Sequence, residues 1–344
     1  MTDGKRSPAI DAKITRRRAA FWLALSPALL GSRLVGNGPQ ARVPATLDLP
    51  LKDGSLRFAA MGDTGQGDRG QMEMAAQMAK VHALFPFDLV IMLGDNIYGA
   101  DGPADMQRKF ETPYKPLLDA GVQFQATLGN HDNPNQRFYK PFNMGGKRYY
   151  TYRPANSNGV RFFALDSNYV DKVQLDWLEK ELQASLSDWK IVYFHHPLYS
   201  SGATHGSALE TRAVLEPLFV KYGVSAVFTG HDHIYERIKP QKGGIVYFVS
   251  GAGGALRRGD IRPSEMVAKG FDTDYHFMIM EISGDEMFFQ AISRAGATVD
   301  RGVIRRPGAM EAVSAPAPGP SKAPAAQATP AAKVNAPAAS PTPK

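Results

Sequence analysis

Between residues 56 and 230 the chain repeats one arrangement: a short apolar run, a glycine, then a polar residue able to bind an ion. Leu56-Arg57-Phe58-Ala59-Ala60-Met61 reads as a buried strand and stops at Gly62-Asp63-Thr64-Gly65. Asp88 to Leu93 stops at Gly94-Asp95-Asn96-Ile97-Tyr98, and Val122 to Leu128 stops at Gly129-Asn130-His131-Asp132. After the first run, Met72, Ala75, Ala76 and Ala79 recur at helical spacing. Tyr149 to Tyr152 and Arg161 to Asp166 read as adjacent strands across an Asn-Ser-Asn-Gly turn. Gln174 to Leu186 reads as an amphipathic helix, with Leu175, Leu178, Leu182 and Leu186 on one stripe and Trp177 beside it. Lys190 to Phe194 is a further strand, ending at His195-His196-Pro197. A helix from about Ala208 to Tyr222 leads to the run Val224 to Phe228 and then to Gly230-His231-Asp232-His233. Beyond it, Gly244 to Ser250, Phe277 to Ile282 and Glu286 to Ile292 read as strands with glycine-rich turns. Gly251-Ala252-Gly253-Gly254 is the clearest of these turns; its N–H groups could cradle a phosphate, although a plain strand-to-strand turn fits it better. The alternation of strand and helix predicts an α/β domain.

In open α/β sheets, sites form outside the carboxyl ends of the strands. The repeated ending therefore brings Asp63, Asp95, Asn130 and His131 to one rim. Six of the eight histidines fall at 131, 195–205 and 231–233; His82 and His276 read as structural. Each segment alone also fits an ordinary turn, and it is the shared pattern that points to one site. The chain has no cysteine, so any metal is held by oxygen and imidazole nitrogen. Carboxylate, amide and imidazole donors suit hard and borderline cations. A carboxylate shared by two ions sets them roughly 3.5–4 Å apart, the spacing that serves phosphoryl chemistry.

In order, the segments read Asp63-x-Gly65, Gly94-Asp95-x-x-Tyr98, Gly129-Asn130-His131-Asp132, Val192-x-x-His195 and Gly230-His231-x-His233. This series resembles the metallophosphoesterase superfamily, and within it the purple acid phosphatases. The discriminating features are Tyr98 and the glycine at position 65, where most other members carry a histidine. Tyr199-Ser200-Ser201-Gly202 with His205, and Gln174 to Leu182, extend the likeness over most of the core. Its length fits the small single-domain group typified by tartrate-resistant acid phosphatase. The resemblance implies a four-layer sandwich of two mixed β-sheets flanked by helices. It implies Fe(III) on Asp63, Asp95, Tyr98 and His233, and Fe(II), Zn(II) or Mn(II) on Asp95, Asn130, His195 and His231, with Asp95 bridging. A metal-bound hydroxide would attack phosphorus. His131 would contact the phosphate or protonate the leaving alkoxide, with Asp132 orienting it; His196 and His205 are further candidates near the reaction.

Charge and composition then separate the domain from its ends. The chain has 344 residues and a net charge of +7. Eight basic against two acidic side chains lie in residues 1–42, and three lysines against Glu311 lie in 307–344, which leaves the stretch between close to neutral. The basic balance is thus no argument for nucleic-acid binding by the domain. Residues 1–42 resemble an export signal and linker: Arg16-Arg17-Arg18, then an apolar run from Ala19 to Leu30 too short for an ordinary spanning helix. They predict a periplasmic or extracellular protein, exported by a twin-arginine route, with no stable membrane insertion afterwards. Residues 43–306 form the catalytic domain, and 307–344 read as a disordered Ala/Pro-rich tail whose partner, if any, is unknown. The expected activity is hydrolysis of small phosphate monoesters at acid to neutral pH. A phosphodiesterase or nucleotide hydrolase on the same metals is the alternative, because the ligands do not select the leaving group. A non-catalytic surface binding protein is a third reading, weakened by the complete ligand set.

Overall fold

The computed structural model describes residues 47–306 apart from 156, 158, 186 and 187. The export segment, the tail, Leu186 and part of the Asn-Ser-Asn-Gly turn lie outside the described residues. The elements run β1 (Leu56–Met61), α1 (Arg69–Leu84), β2 (Leu89–Met92), α2 (Pro103–Met106), a π-helical turn (Gln107–Glu111), α3 (Thr112–Asp119) and β3 (Gln123–Ala126). They continue with β4 (Tyr150–Tyr152), β5 (Val160–Ala164), α4 (Lys172–Gln183), β6 (Trp189–Tyr193), α5 (Leu209–Tyr222), β7 (Ala226–Thr229) and β8 (Tyr235–Ile238). The last five strands are β9 (Val246–Ser250), β10 (Val267–Phe271), β11 (His276–Ser283), β12 (Glu286–Ser293) and β13 (Thr298–Arg305).

Two mixed sheets result. One has six strands in the order β13-β12-β11-β1-β2-β3, and the other seven in the order β10-β8-β9-β7-β6-β5-β4. β1, β2 and β3 are parallel and form one half of the six-stranded sheet, whose other half is antiparallel; β5, β6, β7 and β9 are parallel at the centre of the seven-stranded sheet, with antiparallel strands on both sides. Alternation along the strands divides the seven-stranded sheet into two faces. Phe162, Ile191, Tyr193, Ala226 and Phe228 enter the large core shared with the six-stranded sheet. Phe163, Val192, Phe194 and Val227 enter a second core with Leu178, Leu182, Leu215 and Phe219 of α4 and α5. Phe58 of β1 meets Phe162 edge-on at 5.1 Å, and Phe248 meets Phe289 at 5.0 Å, which closes the sheets face to face. Met74, Met78 and Val81 of α1 complete the packing of the six-stranded sheet. The architecture is the α/β sandwich of two mixed sheets flanked by helices.

Helix starts are set locally: Asp68 accepts from Gln71 N to cap α1, and Asp171 accepts from Gln174 N to cap α4. Three strands go beyond the expected pattern. β8 carries Glu236 and Arg237, whose charges hide its strand character; Glu236 is held by Ser201, and Arg237 pairs with Asp300 at 2.8 Å. β10 and β13 are edge strands with mostly exposed or half-exposed residues and little alternation to read.

His276, at the start of β11, is fully buried against Ser250 Oγ (3.0 Å) and the Tyr235 ring. Burial lowers its pKa to about 3. The unfolded chain takes up this proton below about pH 6.5, the folded chain only near pH 3, so stability falls as pH drops through that window. His276→Gln should therefore lose less thermal stability than the wild type between about pH 6.5 and about pH 4. Equal losses in the two proteins would refute this.

Candidate metal centre

Hydrogen bonds continue the sheets past the strand ends and place the site loops. Leu93 N donates to Met61 O, Asp63 N to Gly94 O and Gly230 N to His195 O, at 2.9 to 3.0 Å. Gly62 N donates to Ser250 O (2.9 Å), which stitches the ends of β1 and β9, and hence the two sheets, together at the rim. The chain then turns through left-handed backbone at Asp63 (φ 57°), Asp95 (φ 50°) and His231 (φ 69°). Non-glycine residues in that region cost about 1–3 kcal/mol each and persist where the surroundings enforce them. The surroundings here are tight: a Cβ at Gly129 would collide with Asp95 Oδ1, and one at Gly230 with Asp63 Oδ2.

The seven expected ligand residues lie together as two donor clusters, a triangle of three residues and a group of four centred on His195. In one, Tyr98 Oη is 3.2 Å from Asp63 Oδ1 and 3.1 Å from His233 Nε2, and those two are 3.4 Å apart. In the other, His195 Nε2 is 3.0 Å from Asn130 Oδ1, 3.1 Å from His231 Nδ1 and 3.4 Å from Asp95 Oδ2. Donors about 2.1 Å from one ion stand at such separations from each other. Asp63, Asp95 and His195 are also near enough to share an ion across the two clusters. The donor chemistry and the spacing both fit two cations. The second oxygen of each carboxylate is spent on backbone: Asp63 Oδ2 accepts from His231 N and Asp95 Oδ1 from His131 N, both at 2.9 Å.

The electrostatics describe a site built for positive charge. Burial pushes the Asp95 carboxyl up, but the hydrogen bond and charge of His195 outweigh it and hold the group below its ordinary range. Burial pushes His195 down, yet Asp95 and Asp63 raise it to about 9. Burial and the two aspartates push the Tyr98 phenol far up. A cation in the centre displaces these protons and reverses that logic. Burial and the neighbouring His195 lower His231 to about 2 and His196 to about 4, so both rings are neutral donors near pH 7.

The remaining candidates surround the two clusters. The exposed His131 ring tilts against Tyr98 at 5.1 Å. His205 lies over His231 at 4.1 Å, and His196 over the same ring at 4.4 Å. Asp132, expected to orient His131, has another role. Its buried carboxylate accepts from Asn96 Nδ2, Ile97 N and Gly129 N at 2.8 to 3.0 Å and clamps the loops after β2 and β3 together. The Gly251–Gly254 turn is likewise a strap: Gly253 N donates to Gly62 O and Ala255 N to Asp63 O, both at 3.0 Å.

The sequence pattern missed Asn96, Ser167 and Lys109, because each works through contacts distant in the chain. Ser167 Oγ bonds His196 Nδ1 at 2.8 Å. Buried Lys109, on the π-helical turn, donates to Tyr98 O at 2.6 Å and fixes the tyrosine from behind. A wall beside His205 is formed by two loops, where Ala203 N donates to Asp260 O (2.7 Å) and Arg262 N to Ser201 O (3.1 Å).

Comparison with known proteins agrees with this geometry. Residues 56–235 match the calcineurin-like phosphoesterase model. The chain belongs to that family. Within it, the similarity runs to purple acid phosphatases. Purple acid phosphatase 17 of Arabidopsis thaliana is 28% identical over 67% of this chain and 77% of its own length. Human tartrate-resistant acid phosphatase type 5 is 28% identical over 72% of this chain and 91% of its own. The solved purple acid phosphatase PPD1 of yellow lupin superposes with a TM-score of 0.61 at 20% identity, over 75% of this chain and 55% of that one, a likeness of fold. This phosphoesterase thus carries a binuclear metal centre of the purple acid phosphatase type.

If Asp132 is a clamp, Asp132→Ala strands three buried donors and should lower unfolding free energy by on the order of 3 kcal/mol in denaturant titration. His131→Ala should leave stability within about 0.5 kcal/mol of wild type. A stable Asp132→Ala protein with the same rate defect as His131→Ala would restore the orienting role.

Proposed function

We propose that this phosphoesterase is a phosphatase that hydrolyses small phosphate monoesters at acid to neutral pH, with Fe(III) on the tyrosine side of the centre. The observation that carries the reading is the pair of donor clusters, one containing a phenol. Asp63, Asp95, Tyr98 and His233 would hold one ion; Asp95, Asn130, His195 and His231 would hold Fe(II), Zn(II) or Mn(II). When bound, the two ions supply charge neutralisation at the phosphate and a nucleophile at near-neutral pH. The protein supplies the rest. The backbone N–H of His131 is committed to Asp95, while its exposed ring stands free at the mouth to bind a phosphate oxygen or protonate the departing alkoxide. His205 packs over His231, a ligand of the other ion.

The test compares an aryl phosphate monoester with its diester across pH, using the iron-loaded protein. Monoester preference with an acid optimum is expected, and Asp95→Asn should reduce turnover by at least about a hundredfold. Tyr98→Phe should abolish the visible tyrosinate-to-iron absorption. Diester preference would move the activity to a phosphodiesterase or nucleotide hydrolase, and no turnover of either would favour a binding role.

The location we propose is outside the cytoplasm, on the strength of Arg16-Arg17-Arg18 followed by the apolar run to Leu30. Substituting Arg16 and Arg17 by lysine should retain the protein in the cytoplasm on cell fractionation. Unchanged export would exclude the twin-arginine route.

A further inference from the structure

We propose that His196 is a third imidazole donor to the ion held by Asp95, Asn130, His195 and His231. This inference rests on the binuclear reading and extends it to a residue outside the expected ligand set. One ring nitrogen from each of His195, His196 and His231 lies within 4.8 Å of one from each of the other two. Two donors on one ion at about 2.1 Å can stand as far as about 4.2 Å apart, so a small ring movement completes the set.

The surroundings of His196 are those of a ligand. Its Nδ1 is engaged by Ser167 Oγ at 2.8 Å, and its backbone N–H donates to the same oxygen at 3.0 Å. The atom left to donate is Nε2. Metal-binding histidines are commonly held this way, with the second ring nitrogen bonded outward to fix orientation. Ser167 is itself nearly buried, and its neighbour Asn168 donates to Gly129 O at 3.1 Å, which ties the Ser167 loop to the turn that carries Asn130. The ring also packs on both partner imidazoles, at 4.9 Å from His195 and 4.4 Å from His231. With His196 the ion gains a nitrogen-rich donor set. Such a set suits Zn(II) or Fe(II), whereas Mn(II) and Mg(II) favour oxygen donors.

The experiment strips the full-length protein of metal and titrates Zn(II), Co(II) and Mn(II) against a chromogenic chelator, recording the Co(II) visible spectrum. Wild type should take up two ions. His196→Ala should weaken the second by at least about tenfold to a hundredfold, narrow the preference for Zn(II) over Mn(II) and alter the Co(II) bands. His196→Gln, which keeps bulk and polarity, should behave alike. Ser167→Ala, which keeps the ring but not its tether, should weaken the second ion by a smaller factor. If the His196 variants hold both ions as tightly as wild type with an unchanged Co(II) spectrum, and only KM for a phosphate ester rises, His196 is a phosphate contact and the inference fails. A wild-type protein that takes up fewer than two ions would instead overturn the binuclear reading itself.

Discussion

Asp63 and Asp95 each do two things with one carboxylate, and the site depends on that division. One oxygen faces the other donors of its cluster; the second accepts a backbone N–H from a histidine loop. The bond from His231 N to Asp63 links the end of a strand in one sheet to the loop after a strand in the other. Burying two carboxylates side by side is costly unless each is paired and hydrogen-bonded. The fold meets this condition with backbone donors whose positions are set by the strand ladders and, at Asp95, with the His195 imidazole, which can carry a proton until a metal replaces it.

The rest of the rim serves this arrangement. The Gly62 to Ser250 bond and the strap from Gly253 and Ala255 hold the Asp63 turn from the seven-stranded side. Asp132 holds the Asp95 and Asn130 turns from beneath, and Lys109 pins Tyr98 from the outer side. The left-handed turns at Asp63, Asp95 and His231 remain in place because each is tied at several points. The result is a centre whose donors are held in position before any ion arrives, the condition for precise metal chemistry.

Much of this was legible in the chain because the same physics repeats. β1 was readable to its last residue, since an unbroken apolar run ending in glycine has few other meanings in an α/β protein. The strand-glycine-donor pattern pointed to Asp63, Asp95, Asn130 and the His231 turn, and the family resemblance added Tyr98 and completed the two clusters. What stayed hidden depends on partners far along the chain. Asp132 beside His131 looked like an orienting pair, and only the approach of Asn96, Ile97 and Gly129 shows what its carboxylate binds. The Gly251–Gly254 turn had the composition of a phosphate cradle, but Gly251 N is taken by Ile234 O and Gly253 N by Gly62 O. β8 was masked by charges that tertiary pairing neutralises, and the edge strands β10 and β13 lack a second buried face to imprint alternation.

The loops that carry His205 and Arg262 are zipped to each other, whereas the donors stand on the ends of parallel strands. The donors and the wall beside them thus stand on different pieces of chain, yet the wall is fastened to the donor turn: Arg257 N donates to His233 O at 3.1 Å and Gly206 N to Asp232 Oδ2 at 3.2 Å. The two loops therefore belong to the scaffold that sets the metal turn, and a change in either is felt at His231 and His233 through the bonds that close the centre on that side.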